Sequence, residues 1–92
     1  MRCLGIDPAK DIAHCALVDL ADSGARPLLV AAESVRWADL AGWVRLVELV
    51  SAADAVACEA QWCAENDTSK WSGIAPLLET MGAIRVACLT AR

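Results

Sequence analysis

Apolar residues fall into short runs along the first third of the chain. Arg2 to Ile6 is one run, stopped by Asp7-Pro8, and Ile12 to Leu20 is a second, rich in Ala, Cys, Leu and Val. The five residues between them, Asp7 to Asp11, read as a turn. Pro8 presets φ, and both aspartates can bond nearby backbone. Two runs joined this way predict a β-hairpin. Ala21-Asp22-Ser23-Gly24 marks another turn, and Pro27 opens a third strand, Leu28 to Val35. A missing N–H suits that strand to a sheet edge.

The period then changes. From Asp39, placed as an N-cap, apolar residues recur as Leu40, Trp43, Val44, Val47 and Val50, which predicts a helix with one buried stripe. Gly42 weakens that helix, and Ala53-Asp54 ends it. Ala55-Val56-Ala57-Cys58 is too short for a helix and suits a buried central strand. Ala60 to Ser69 is a polar loop offering Asp67, Thr68 or Ser69 as the next N-cap. A second helix should then bury Trp71, Ile74, Leu78 and Met81. Gly73 and Pro76 predict a kink or a broken first turn, and Gly82 fits the position just past the helix end. Ala83 to Leu89 reads as a last strand. The order is β-β-β-α-β-α-β, a mixed-sheet α/β domain with right-handed crossovers to its parallel strands.

Composition narrows the class. A chain of 92 residues allows one small domain, and 58% apolar content excludes intrinsic disorder. No run approaches the ~18 to 20 uninterrupted apolar residues of a spanning helix. The amino terminus, Met1-Arg2-Cys3-Leu4-Gly5-Ile6-Asp7, lacks a signal h-region, so the default expectation is cytoplasmic. Residues up to Ala60 carry nine acids and five bases, and the remainder three of each, for a net charge of −4. No Lys/Arg cluster exists, which argues against a free-standing polyanion binder. Five cysteines, at 3, 15, 58, 63 and 88, form no C-x-x-C pair. They predict neither a disulfide-linked partner nor a zinc site. Cys3, Cys15, Cys58 and Cys88 read as small buried hydrophobes. His14, inside the second strand, reads as a packed or edge residue, not a general base.

Two acids stand at strand ends. Asp7 follows the first strand and Glu59 the fourth. If those strands are neighbours, both carboxylates emerge at one sheet edge, where polar residues at strand carboxyl ends usually serve function. Two close carboxylates repel unless a cation lies between them. Mg²⁺ takes hard oxygen ligands, few of them from protein. The plain alternative is that Asp7 caps a turn and Glu59 is solvated.

Leu4-Gly5-Ile6-Asp7-Pro8, followed by a strand ending near Asp19, resembles the opening of the RuvC-type Holliday junction resolvases and their phage-borne relatives. Ala57-Cys58-Glu59-Ala60-Gln61-Trp62, then Asn66 and Ser69, resembles the family's strand-four motif: an acid, a nearby Gln, an aromatic three residues after the acid, and Asn-x-x-Ser/Thr opening the next helix. The 52-residue gap from Asp7 to Glu59 suits three strands and a helix.

The resemblance implies an RNase H-like fold with a mixed five-stranded sheet in the order 3-2-1-4-5. It implies a single domain over 1–92 that lacks the final helices and is incomplete at its carboxyl end. It further implies a metal-dependent endonuclease acting on branched DNA as a homodimer, with Mg²⁺ or Mn²⁺ on Asp7 and Glu59 as catalytic carboxylates. Trp62 would match the loop aromatic that stacks on a base, while Gln61, Asn66 and Lys10 would lie along the nucleic acid. Asn66 and Ser69 also suit loop shaping and helix capping.

This sequence departs from the family in having Ala9 where Gly follows Asp-Pro. Asp7-Pro8-Ala9-Lys10 is also similar to DEDD transposases with a RuvC-like amino-terminal domain. Nothing after the fifth strand supplies the family's remaining acids, since Glu65, Asp67 and Glu79 fall in other elements. A catalytically incomplete RNase H-like module therefore stands as an alternative. An actin-like phosphotransfer domain would wrap phosphates with the first hairpin, but this turn has no Gly and carries two acids. On this reading the apolar content includes an uncovered surface, which predicts self-association.

Overall fold

The computed structural model of the chain describes residues 1–21, 26–58 and 71–91. Its elements are β1 (Arg2–Ala9), β2 (Ile12–Asp19), β3 (Leu28–Arg36), α1 (Leu40–Ala52), β4 (Ala55–Cys58) and α2 (Trp71–Thr90). The four strands form one sheet in the order β3-β2-β1-β4. β1 and β2 pair antiparallel, as do β2 and β3, and β4 runs parallel to β1. The expected three-strand meander, the edge position of the third strand and the β1–β4 adjacency are all present.

The hairpin is tighter than the sequence suggests. Asp7 and Pro8 belong to β1, and Ala9 pairs with Ile12 across a two-residue turn, Lys10-Asp11. Asp11 takes φ of 60°, the left-handed region that aspartate tolerates. Pro8 sits next to the pair that closes the turn. In an antiparallel ladder that position does not donate to the partner strand, so its missing N–H costs the β1–β2 pairing nothing.

One face of the sheet carries the core. Leu4 and Ile6 of β1, Ala13, Cys15 and Leu17 of β2 and Val35 of β3 pack with Leu46, Leu49 and Val50 of α1 and Ile84 and Ala87 of α2. Both helices therefore lie on the same side. Burying each large aliphatic side chain contributes about 2 kcal/mol.

The buried stripe of α1 differs from the expected one: Leu40 is 80% exposed and Val44 47%. Gly42 explains the rotation. A Cβ at Gly42 would overlap the Arg36 backbone, so this residue lets the helix settle against the end of β3. Leu46, Leu49, Val50 and Ala53 then follow on Gly42's face at helical spacing. Asp39 occupies the N-cap position, and its carbonyl accepts from the Trp43 N–H at 2.8 Å. Its carboxylate makes no capping bond and lies 3.9 Å from Arg36 Nε.

The predicted fifth strand is absent from the described residues. Ala83 to Leu89 is helical, and α2 continues through Gly82 to Thr90. Thr80, Ile84 and Ala87 are buried, with Cys88 and Ala91 packed beside them. This is a 3.6-residue period that a short apolar run does not reveal by itself. Gly82 does not end the helix, and the helix also runs on through Pro76. Leu78, expected inside, is 44% exposed. Of the four cysteines among the described residues Cys15 alone is buried; Cys3 and Cys88 are half-buried and Cys58 is exposed. No helix among the described residues is long and apolar enough to cross a membrane.

Candidate nucleic-acid interface on the open sheet face

Strand alternation sends every second residue of β1, β2 and β3 away from the helices. The register groups these residues into rows. Asp7 pairs with His14, and His14 with Ser34. In the next row Gly5 pairs with Ala16 and with Ala57, and Ala16 pairs with Ala32. Asp7, His14, Ser34, Gly5, Ala32 and Ala57 are exposed, and Ala16 is half-buried. Together they line an open groove of about 840 Å³. Its floor is Gly and Ala, which permit close approach of a bulky ligand, and one wall is the Asp7–His14–Ser34 row.

Two anchors hold the groove in place. At the start of β4, the Asp54 carboxylate accepts from the Arg2 N–H at 2.8 Å, and the Asp54 N–H donates to the Arg2 carbonyl at 2.8 Å. That double contact sets the β1–β4 register from Cys3–Ala55 to Ile6–Cys58. At the other end, the fully buried Thr80 hydroxyl donates to the Ala9 carbonyl at 2.7 Å and accepts from Trp37 Nε1 at 2.9 Å. α2 is thereby tied to the last residue of β1, two positions beyond Asp7.

On the helix side, Arg45 Nε and one terminal nitrogen donate to the two Glu33 carboxylate oxygens at 2.6 and 2.8 Å. The guanidinium holds the Glu33 carboxyl below its usual range. Burial, reinforced by the Glu33 charge, pushes the Cys15 thiol up to about 11. Cys15 beneath the groove is therefore a packed thiol, not a nucleophile.

Of the residues named from sequence, Asp7 stands exposed on the groove wall and Lys10 is exposed in the adjoining turn. Glu59, Gln61, Trp62, Asn66 and Ser69 lie outside the described residues. Asp7 offers the hard oxygen that Mg²⁺ or Mn²⁺ requires. The described residues contain no group of three or more His, Cys, Asp or Glu side chains placed to hold a metal. His14, read from sequence as a packed or edge residue, lies in β2 between β1 and β3, and Ser34 was not singled out. His14 is exposed, and its Nδ1 is hydrogen-bonded to Ser34 Oγ at 2.7 Å. The sequence signal was the length of the turn. Closing the hairpin on two residues instead of five moves His14 from the Leu4 face to the Asp7 face.

The whole chain superposes on known structures. A Thermus thermophilus RuvC bound to a Holliday junction substrate matches with a TM-score of 0.68 over 99% of this chain. The fold is that of RuvC. Sequence identity to that RuvC is 21%, and this chain covers 61% of its length. A second T. thermophilus RuvC structure matches with a TM-score of 0.66 at 24% identity, again over 99% of this chain and 59% of that one. The chain thus spans about three fifths of the RuvC chains it matches. No protein-family model and no curated protein matches it.

Proposed function

We propose that this chain forms the metal-binding part of a RuvC-like endonuclease acting on branched DNA. The observation that carries the reading is Asp7. It stands on the open face of a RuvC fold, two residues before the end of a central strand that has β4 parallel beside it. Ile6 pairs with Cys58, and Asp7 and Glu59 are the next residues of their respective segments. Asp7 and Glu59 would hold Mg²⁺ or Mn²⁺, which supplies charge neutralisation at the scissile phosphate and an activated water. The Gly5, Ala16, Ala32 and Ala57 floor leaves room for the backbone of the DNA. Gln61, Trp62, Asn66 and Lys10 are the proposed DNA contacts, with Trp62 stacking on an unpaired base. Residues 1–92 form one RNase H-like domain, and two symmetric cuts in a four-way junction call for a homodimer.

A second reading is a catalytically incomplete RNase H-like module: of the two acids lining the described groove, Glu33 is engaged by Arg45, which leaves Asp7. Cleavage of a labelled four-way DNA junction in Mg²⁺ separates the two. The first reading expects cleavage by the wild-type chain and none by Asp7→Asn. Equal cleavage by Asp7→Asn overturns the Asp7 assignment. Junction binding without cleavage by either chain selects the second reading.

A further inference from the structure

The His14–Ser34 pair is a polar feature of the described groove that neither the sequence motifs nor the metal chemistry uses. His14 is the sole histidine of the chain. It lies directly across from Asp7, and directly opposed side chains on one sheet face stand about 5 Å apart at Cβ. Ser34 occupies Nδ1, which fixes the plane of the ring. Nε2 has no partner among the described residues.

Charges of both signs surround this row: Asp7 stands in it, Asp11 shares the turn, and Asp39 lies 3.9 Å from Arg36 Nε. Lys10 lies in the turn next to this row, and Arg36 pairs with Ile12 one row nearer the turn than Ser34. The Arg36 side chain is 71% exposed. With a cation neutralising Asp7, a phosphodiester would meet the His14 ring nitrogen on one side, with Lys10 and the Asp39-paired Arg36 toward the hairpin end.

We propose that His14 is a substrate-contact residue whose Nε2 hydrogen-bonds a phosphate oxygen of the bound strand beside Asp7, with Ser34 as the positioning residue that orients the ring. The contact adds a directional bond where the metal supplies charge. It also sets which phosphate lies over Asp7. The proposal rests on the branched-DNA reading above.

The test uses the whole chain with a four-way DNA junction, with Ca²⁺ in place of Mg²⁺ so that binding is read without cleavage. Affinity is measured by fluorescence anisotropy, and the ring is followed by NMR, where a single histidine needs no assignment. The ring signals should shift saturably as junction is added. A hydrogen bond to a charged group corresponds to about a tenfold loss of affinity in His14→Ala. Gln carries its amide nitrogen to the position of Nε2, and Asn only to that of Nδ1. His14→Gln should therefore recover most of the affinity and His14→Asn should not. Ser34→Ala should weaken binding about threefold by freeing the ring.

Stationary ring signals with unchanged affinity in His14→Ala, while the wild type binds, overturn the His14 assignment and leave the branched-DNA reading standing. Equal recovery by Asn and Gln overturns it too, because Asn can satisfy Ser34 alone. A wild-type chain that binds no junction overturns both.

Discussion

Single residues set much of this architecture through polar contacts that apolar patterning does not describe. Thr80 is the clearest. It is fully buried, and one hydroxyl satisfies both the Trp37 indole and the Ala9 carbonyl. Thr80→Val keeps the shape and leaves both partners unpaired in the interior, so it should destabilise the fold by about 3 kcal/mol in urea denaturation. Thr90→Val is the control. Its exposed hydroxyl only backs onto the Val86 carbonyl at 2.8 Å, and the loss should stay within about 0.5 kcal/mol. Similar losses in the two variants would show that Thr80 is not a tie between α2 and the hairpin. Gly42 works by the opposite means. In sequence it is a weak helix former, whereas in the fold it removes a side chain where α1 meets Arg36. Asp7 was legible because it breaks an apolar run at a strand end. His14 was not, because its face depends on a turn whose length no single residue declares.

At the scale of elements, strands were easier to read than helix faces. β2, β3 and β4 fall close to where apolar runs and Pro27 put them, since each run is bounded by turn residues. Residues 83–89 went the other way. Cys88 and Leu89 beside Ile84 and Val86 suit a strand as well as a helix, and Gly82 looks like a stop signal. Burial decides it: Ile84 is 3% exposed and Val86 52%. In a strand those two side chains would share a face. Ile84→Ala should therefore cost about 3 kcal/mol, while Val86→Ala should fall within about 0.5 kcal/mol, both by thermal or urea unfolding. Comparable costs would contradict the helix. The stripe of α1 was misjudged for a related reason. Amphipathic spacing shows that a helix has an apolar side, but Trp43, Val44 and Val47 compete with Leu46, Leu49 and Val50 for that title, and the contact at Gly42 chooses.

At the scale of the whole molecule, the sheet is two-faced. Two helices cover one side, and among the described residues the other side is open, floored by Gly and Ala. Net charge is the opposing fact. A chain at −4 repels DNA, and Lys10 and Arg36 near the Asp7 row offset only part of that. Junction binding should therefore depend on a divalent cation at Asp7. Chelation with EDTA should abolish binding in an anisotropy assay at fixed ionic strength, and restoring excess Mg²⁺ should recover it. Binding that survives EDTA would place the affinity in the protein's own cations. The sequence by itself determined the types of the elements described up to Cys58, the β3-β2-β1-β4 part of the strand order and the candidacy of Asp7, because run length, turn residues and charge are local signals. Tertiary structure alone decided which side of each helix is buried, that residues 83–89 are helical, and that His14 stands beside Asp7. Each of those depends on register and on contacts between residues far apart in the chain, where a one-residue shift turns a side chain from one face to the other.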